Sequence, residues 1–230
     1  FALAYVMYTS GTAGSPKAVV STQRAALWSP LACYGPMLGL SADDRVLWPL
    51  PMAHSFAHSF CVLGVVAAGA SARICERRDP AWLAHLIGTC SPTVVAGVPA
   101  TYRQLLAAGV GEIASLRLCL TAGAPSDPQL RADVETALGV PLHDCYGSTE
   151  TCGMVSVEPV GTPRVAGTSG LVVPCVEVRV VDPRSALDVR DGTDGEIWVR
   201  GPGLMSGYHG RSEETRAAMP SGWYRTGDVK

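Results

Sequence analysis

Two hydrophobic periods alternate along the first two-thirds of the chain. Short apolar runs bounded by Gly, Pro, Asp or Ser predict strands at residues 4–8, 45–50, 70–75, 93–98, 116–121 and 141–146. Between them the spacing turns helical. A helix is predicted over residues 22–38 with breaks at Pro30 and Pro36, and a buried one over 60–68. Asp79-Pro80 opens a third, with Trp82, Leu83, Leu86 and Ile87 as its apolar face. Residues 102–108 form a fourth, and Ser126-Asp127-Pro128 caps a fifth that runs to Leu138. Alternation of this kind predicts an α/β fold with layered, largely parallel sheets flanked by helices. Near Glu158 the pattern changes. Alternating strands at 176–181 and 196–200, separated by turns such as Arg190-Asp191-Gly192-Thr193-Asp194-Gly195, predict an antiparallel, barrel-like region. The chain is thus divided into residues 1–157 and 158–230.

Composition narrows the classes. At 230 residues with 47% hydrophobic side chains, the chain can bury a sizeable core. A net charge of −2 gives no electrostatic footprint for nucleic acid or an anionic membrane. The longest apolar run, residues 60–70, is too short to span a bilayer and is interrupted by Gly64 and Gly69. The eight cysteines show no C-x-x-C spacing, and several sit in apolar runs. They read as buried free thiols of a cytoplasmic protein, not as a disulfide framework or zinc site.

Three polar segments carry candidate chemistry. The first, Tyr8-Thr9-Ser10-Gly11-Thr12-Ala13-Gly14-Ser15-Pro16-Lys17, directly follows an apolar run. Gly11 and Gly14 allow a tight turn with inward-facing amides, Thr9, Ser10 and Thr12 add hydroxyls, and Lys17 adds a point charge. This reads either as a cradle for a polyphosphate such as ATP or as a solvated loop. It is not a Walker A motif, because two residues rather than four separate the glycines. The second is Asp144-Cys145-Tyr146-Gly147-Ser148-Thr149-Glu150-Thr151 at a strand end, where ligands bind in open α/β sheets. Tyr146 can stack on a purine, Thr149 can meet a phosphate, and Glu150 can hold Mg²⁺. The alternative is an ordinary strand-to-helix turn with Ser148 or Thr149 as N-cap. The third is Tyr224-Arg225-Thr226-Gly227-Asp228, where Asp228 can accept both ribose hydroxyls or simply sit in a solvated turn.

In this order, together with Thr121-Ala122-Gly123-Ala124-Pro125 and Gly195-Glu196-Ile197-Trp198-Val199-Arg200-Gly201 before Gly207-Tyr208, these segments resemble the adenylate-forming superfamily. That superfamily includes nonribosomal peptide synthetase adenylation domains, acyl- and aryl-CoA ligases and polyketide synthase loading domains. The resemblance implies that ATP and Mg²⁺ activate a small carboxylic acid as an acyl-adenylate, and that a phosphopantetheine or CoA thiol then takes the acyl group. It implies Lys17, Thr149 and Glu150 as catalytic, with Glu150 on the metal. It implies Thr9, Ser10, Gly11, Thr12, Gly14, Lys17, Gly123, Ala124, Pro125, Tyr146, Gly147 and Asp228 as nucleotide-binding. The acid pocket would be lined by His54, Ser55, Phe56, Ser59, Leu120, Ala122, Cys145, Gly153 and Met154. Ala13 and Ala18 depart from the family's usual Thr and Gly. The family's N-terminal portion and its small C-terminal subdomain, with the catalytic lysine, are expected to be absent. Both ends falling on motifs predict a piece of a longer gene that is inactive alone.

No Asp or Glu lies between Asp44 and Glu76, where α-amino-acid-activating members place an Asp against the substrate ammonium. A buried ammonium without a counter-charge is costly. Residues 48–58 instead resemble aryl- and acyl-acid-activating members, so an acid without an α-amino group is expected. His54 is expected to act as a gate or pocket wall, and His58 as a structural histidine. A carrier-protein domain in the same polypeptide is the expected partner. A stand-alone CoA ligase and a non-catalytic nucleotide-binding module are the alternatives.

Overall fold

The computed structural model describes residues 2–9, 15–76 and 79–229. Its centre is a seven-stranded sheet built from β3 (Arg45–Trp48), β4 (Ser71–Ile74), β5 (Val94–Gly97), β6 (Leu118–Thr121), β7 (Leu142–Ser148), β8 (Gly153–Val157) and β9 (Leu171–Val172), in spatial order β4-β3-β5-β6-β7-β8-β9. The first five in that order run parallel, and β8 and β9 add antiparallel.

Both faces of the parallel part are covered, and the side chains sort by the two-residue pleat. Val46, Trp48, Val94, Ala96, Leu118 and Leu120 join one core with Tyr34, Leu38 and Phe60. Leu47, Val95 and Cys119 join the opposite core with Leu83, Leu86, Tyr102, Leu105, Val134 and Leu138. That second core is roofed by α3 (Pro80–Cys90), α4 (Pro99–Ala107) and α5 (Pro128–Leu138). Each of the three carries Pro in its first turn, and the Asp79 and Asp127 carboxylates cap α3 and α5 by accepting the Trp82 and Gln129 amides. The first core is roofed by α1 (Gln23–Ser29), by π-helical turns at Pro30–Tyr34 and Ala57–Gly64, and by α2 (Val65–Ala68). The α-helix ends at Ser29, so it stops at Pro30 as the sequence predicts, but the chain goes on in helical conformation. Pro30 sits at the α1 C-cap in helical conformation, and its missing N–H is absorbed where the chain widens into the π turn.

Two small antiparallel sheets flank this layer. In one, β1 (Leu3–Tyr8) pairs antiparallel with β2 (Ala18–Thr22), and β12 (Gly207–Tyr208) pairs with β2. The sequence reading misses β2, because Ala18–Thr22 merges with the helical pattern that follows Thr22. The other small sheet has the order β10 (Glu177–Val181), β11 (Glu196–Arg200), β13 (Tyr224–Val229). A short polar helix, α6 (Ser212–Ala218), packs on β12 and β13. Strands from beyond residue 158 therefore complete both sheets of the first part: β9 extends the large one and β12 the small one.

Buried charges tie the layers. Asp44 is 2% exposed and accepts Arg117 on both oxygens, the Thr93 hydroxyl and the Ser41 amide. Glu158, 1% exposed, pairs with Arg131, which also reaches Asp144 at 2.8 Å. Six cysteines are buried, whereas Cys90 is half-buried and Cys175 exposed. Among the described residues no helix is long and apolar enough to cross a membrane.

Candidate active site

The chain reaches β3, steps outward to β4, and returns to place β5 on β3's other side. A sheet order that reverses like this leaves a crevice at the strands' carboxyl ends. A cavity of about 370 Å³ occupies that position. Its wall comes from the segments that follow the parallel strands: Trp48 to Pro51 after β3, Val98 after β5, Ala122 and Gly123 after β6, and the end of β7 at Gly147 and Ser148.

Of the nine predicted acid-pocket residues, His54, Ser55, Phe56, Ala122, Gly153 and Met154 line this cavity. Ser59, Leu120 and Cys145 are buried outside its lining. The Ser59 hydroxyl is spent on the Tyr34 hydroxyl at 2.6 Å. Leu120 and Cys145 pack inside the first core, where burial pushes the Cys145 thiol well above its ordinary range. The opposite wall, absent from the sequence reading, comes from Leu83 on α3 and Ala100, Thr101 and Gln104 on α4. Those residues lie about one crossover away in sequence, and no local motif marks them. Burial lowers the His54 pKa, which favours the neutral ring, and its Nδ1 accepts the Phe56 amide at 3.2 Å. His58 stacks edge-on against Tyr5 at 4.2 Å.

The segment after β7 does not lead into a helix. It turns over Thr149–Cys152 and returns as β8, a hairpin that replaces the strand-to-helix alternative. Two glycines make the hairpin possible. A Cβ on Gly147 would lie 2.1 Å from the Gly153 carbonyl oxygen, and one on Gly153, at φ +152°, would lie 2.0 Å from the Ser29 hydroxyl oxygen. The hairpin aims Thr149 at Ser55, with hydroxyl oxygens 3.3 Å apart, and holds Glu150 beside Tyr208.

The remaining predicted groups fall into two clusters along this hairpin. The Tyr146 hydroxyl donates to Asp228 at 2.6 Å, and burial with that carboxylate raises the phenol pKa. Asp228 is placed by Glu196, which accepts Arg225 and the Gly227 amide, so two motifs 30 residues apart form one joint. Gly123, at φ +81°, starts an exposed turn with Ala124 and Pro125. The second cluster is at the hairpin tip. The Thr9 amide donates to the Lys17 carbonyl at 2.9 Å, which closes the base of the β1–β2 loop. Ser10, Gly11, Thr12, Ala13 and Gly14 lie outside the described residues. The Lys17 ammonium sits 4.7 Å over the Tyr208 ring and 3.3 Å from Glu214. The Tyr208 hydroxyl donates to Glu150 at 2.9 Å.

A magnesium ion that keeps its waters and bridges phosphates needs only one or two carboxylates. Glu150 fits this demand: one oxygen accepts Tyr208 and the other takes no hydrogen bond among the described residues. No group of three His, Cys, Asp or Glu side chains forms a closed metal site among the described residues.

The crevice at the strand ends is thus accompanied by the Tyr146–Asp228 pair and by the cluster of Lys17, Tyr208 and Glu150. The chain belongs to the AMP-binding enzyme family, whose model matches residues 2–209. It is 37% identical over 98% of its length to a naringenin synthase of Pestalotiopsis fici, of which it covers 8%. It is 33% identical over 97% to an indoleacetate–CoA ligase of Aromatoleum aromaticum, of which it covers 44%. An anthranilate CoA ligase solved with anthranoyl-AMP superposes over 99% of the chain and 44% of its own, with a TM-score of 0.92 at 25% identity. The chain therefore spans less than half the length of these relatives, and the fold is a partial adenylate-forming domain.

Proposed function

We propose that the whole protein activates a carboxylic acid lacking an α-amino group, using ATP, and passes the acyl group to a thiol. The supporting observation is the cavity itself: among the described residues its lining carries no Asp or Glu and is mostly apolar. An uncharged aryl or alicyclic body fits such a wall, whereas a substrate ammonium would lack a counter-charge. Indoleacetate and anthranilate ligases among the relatives are consistent with an aryl acid.

In this reading the acid lies between Phe56, Ala122 and Met154, with its carboxylate toward Thr149. Tyr146 and Asp228 hold the nucleoside. The carboxylate oxygen attacks the α-phosphorus, pyrophosphate leaves, and an acyl-adenylate forms. Lys17 and the Thr149 hydroxyl bind the charge that grows on the phosphoryl oxygens. Mg²⁺ on Glu150 would supply further charge neutralisation there. Neutral His54 forms part of the pocket wall without adding charge.

The acceptor is the finer question. Two fungal synthases match over nearly the whole chain while it covers only 8% of each, which favours a domain within a very long polypeptide and a carrier-bound phosphopantetheine thiol. The second reading, free CoA, is favoured by the CoA ligases matched at similar coverage of this chain. A reducing cytoplasm suits the buried free thiols. Acid-dependent exchange of pyrophosphate into ATP, run on the full-length protein with aryl acids and α-amino acids, tests the proposal. Exchange with aryl acids is the expected result, and a strict requirement for an α-amino acid would refute it.

A further inference from the structure

Three charged side chains meet at the base of the β1–β2 loop. The Glu214 carboxylate lies 3.3 Å from the Lys17 ammonium and 3.1 Å from the Arg211 guanidinium. Arg211 turns its other nitrogen to the Ser15 hydroxyl at 2.9 Å and the Pro16 carbonyl at 3.4 Å. One carboxylate thus bridges two cations that bracket the loop's end.

The arrangement is anchored. The Thr215 hydroxyl accepts the Tyr208 amide at 2.9 Å and donates to the Arg211 carbonyl at 2.8 Å, which pins α6 to β12. The His209 and Ser206 amides donate to the Ala18 and Val20 carbonyls, which pins that stretch to β2. Glu214 and Arg211 therefore face Lys17 from a fixed support. All three side chains remain between 33% and 41% exposed, so a solute anion can reach them.

Two cations fixed on one carboxylate form a site for a bridging oxyanion, and a phosphate presents the same pair of oxygens with more charge. We propose that Arg211 is a second triphosphate-binding cation, and that Glu214 occupies Lys17 and Arg211 until the nucleotide's outer phosphates displace it. This rests on the nucleotide reading above and adds a residue outside the predicted set. Glu214 acts through the two cations, so it is a positioning residue that opposes nucleotide binding.

The test is equilibrium binding of a non-hydrolysable ATP analogue with Mg²⁺ to the full-length protein and its variants, with thermal melting as a fold control. Glu214→Gln is expected to bind about fivefold tighter, the scale of an exposed ion pair removed from competition. Arg211→Gln is expected to bind roughly tenfold weaker, as for loss of a charge-assisted contact. In pyrophosphate exchange, Glu214→Gln should lower the KM for ATP and leave the KM for the acid unchanged. Unchanged or weaker binding by Glu214→Gln, with the parent binding normally, overturns the inference alone. An Arg211→Gln variant that melts and binds like the parent overturns it too. A parent that binds no analogue overturns the nucleotide reading itself.

Discussion

At Gly153 the backbone stands at φ +152° with no room for a methyl group beside the Ser29 hydroxyl. That hydroxyl also accepts the Met154 amide at 2.8 Å, so the glycine and the serine fix one wall of the cavity together. Gly153→Ala should destabilise the fold by about 2–4 kcal/mol, read as a lowered urea midpoint, from strain plus overpacking. A midpoint unchanged within error would show that the hairpin relaxes freely. Asp44 offers a second residue-scale test. Burial works to raise its pKa, but hydrogen bonds from Arg117, Thr93 and the Ser41 amide outweigh burial and hold it below the ordinary carboxylate range. A depressed folded pKa contributes stability that is present above the unfolded value of about 3.9 and is lost as pH falls through the folded value. Asp44→Asn should therefore be less stable than the parent at pH 7, and the gap should shrink on acidification below about pH 4. Urea unfolding of both proteins from pH 7 to pH 2.5 checks this, and a constant gap would count against the account.

Among the elements, Glu196 shows how distant motifs cooperate. It accepts Arg225, the Trp198 indole N–H and the Gly227 amide, and so sets the turn that carries Asp228. Glu196→Ala leaves Arg225 and that amide unanswered. We expect nucleotide affinity to fall roughly tenfold with about 2 kcal/mol of stability, read by analogue binding and urea unfolding. Elements with their own strong signal were legible in the sequence. The capping aspartates at 79 and 127 mark α3 and α5, and the apolar runs mark β3 to β7, because both effects are local. The hairpin of β7 and β8 was not legible. Tyr-Gly-Ser-Thr-Glu suits a helix start as well as a turn, and only the contact between Gly147 and Gly153 decides. Helix α6 escaped notice because it buries no residue, so no apolar stripe announces it. The site divided likewise. His54, Ser55 and Phe56 line the cavity from one compact stretch, whereas Leu83 and Gln104 reach it only through the crossover topology.

At the scale of the whole molecule, the Tyr146–Asp228 bond joins the large sheet to the small sheet of β10, β11 and β13 across 82 residues of sequence. Tyr146→Phe keeps the ring but loses the link. Analogue binding should weaken at least about tenfold, the worth of one hydrogen bond to a charged group, while the acid preference stays the same. A changed acid preference would show that the two functions share parts. In the proposed reading they are carried by different layers. Lys17 belongs to the sheet of β1, β2 and β12, and Asp228 to the sheet of β10, β11 and β13, whereas the acid wall is built on the large sheet's strand ends and on α3 and α4. If the proposed function holds, substitutions at Leu83, Ala100 or Gln104 should redraw which acid is accepted while the nucleotide-binding groups stay untouched. On that function, a lineage that inherits this scaffold would change its diet of acids without relearning how to spend a nucleotide.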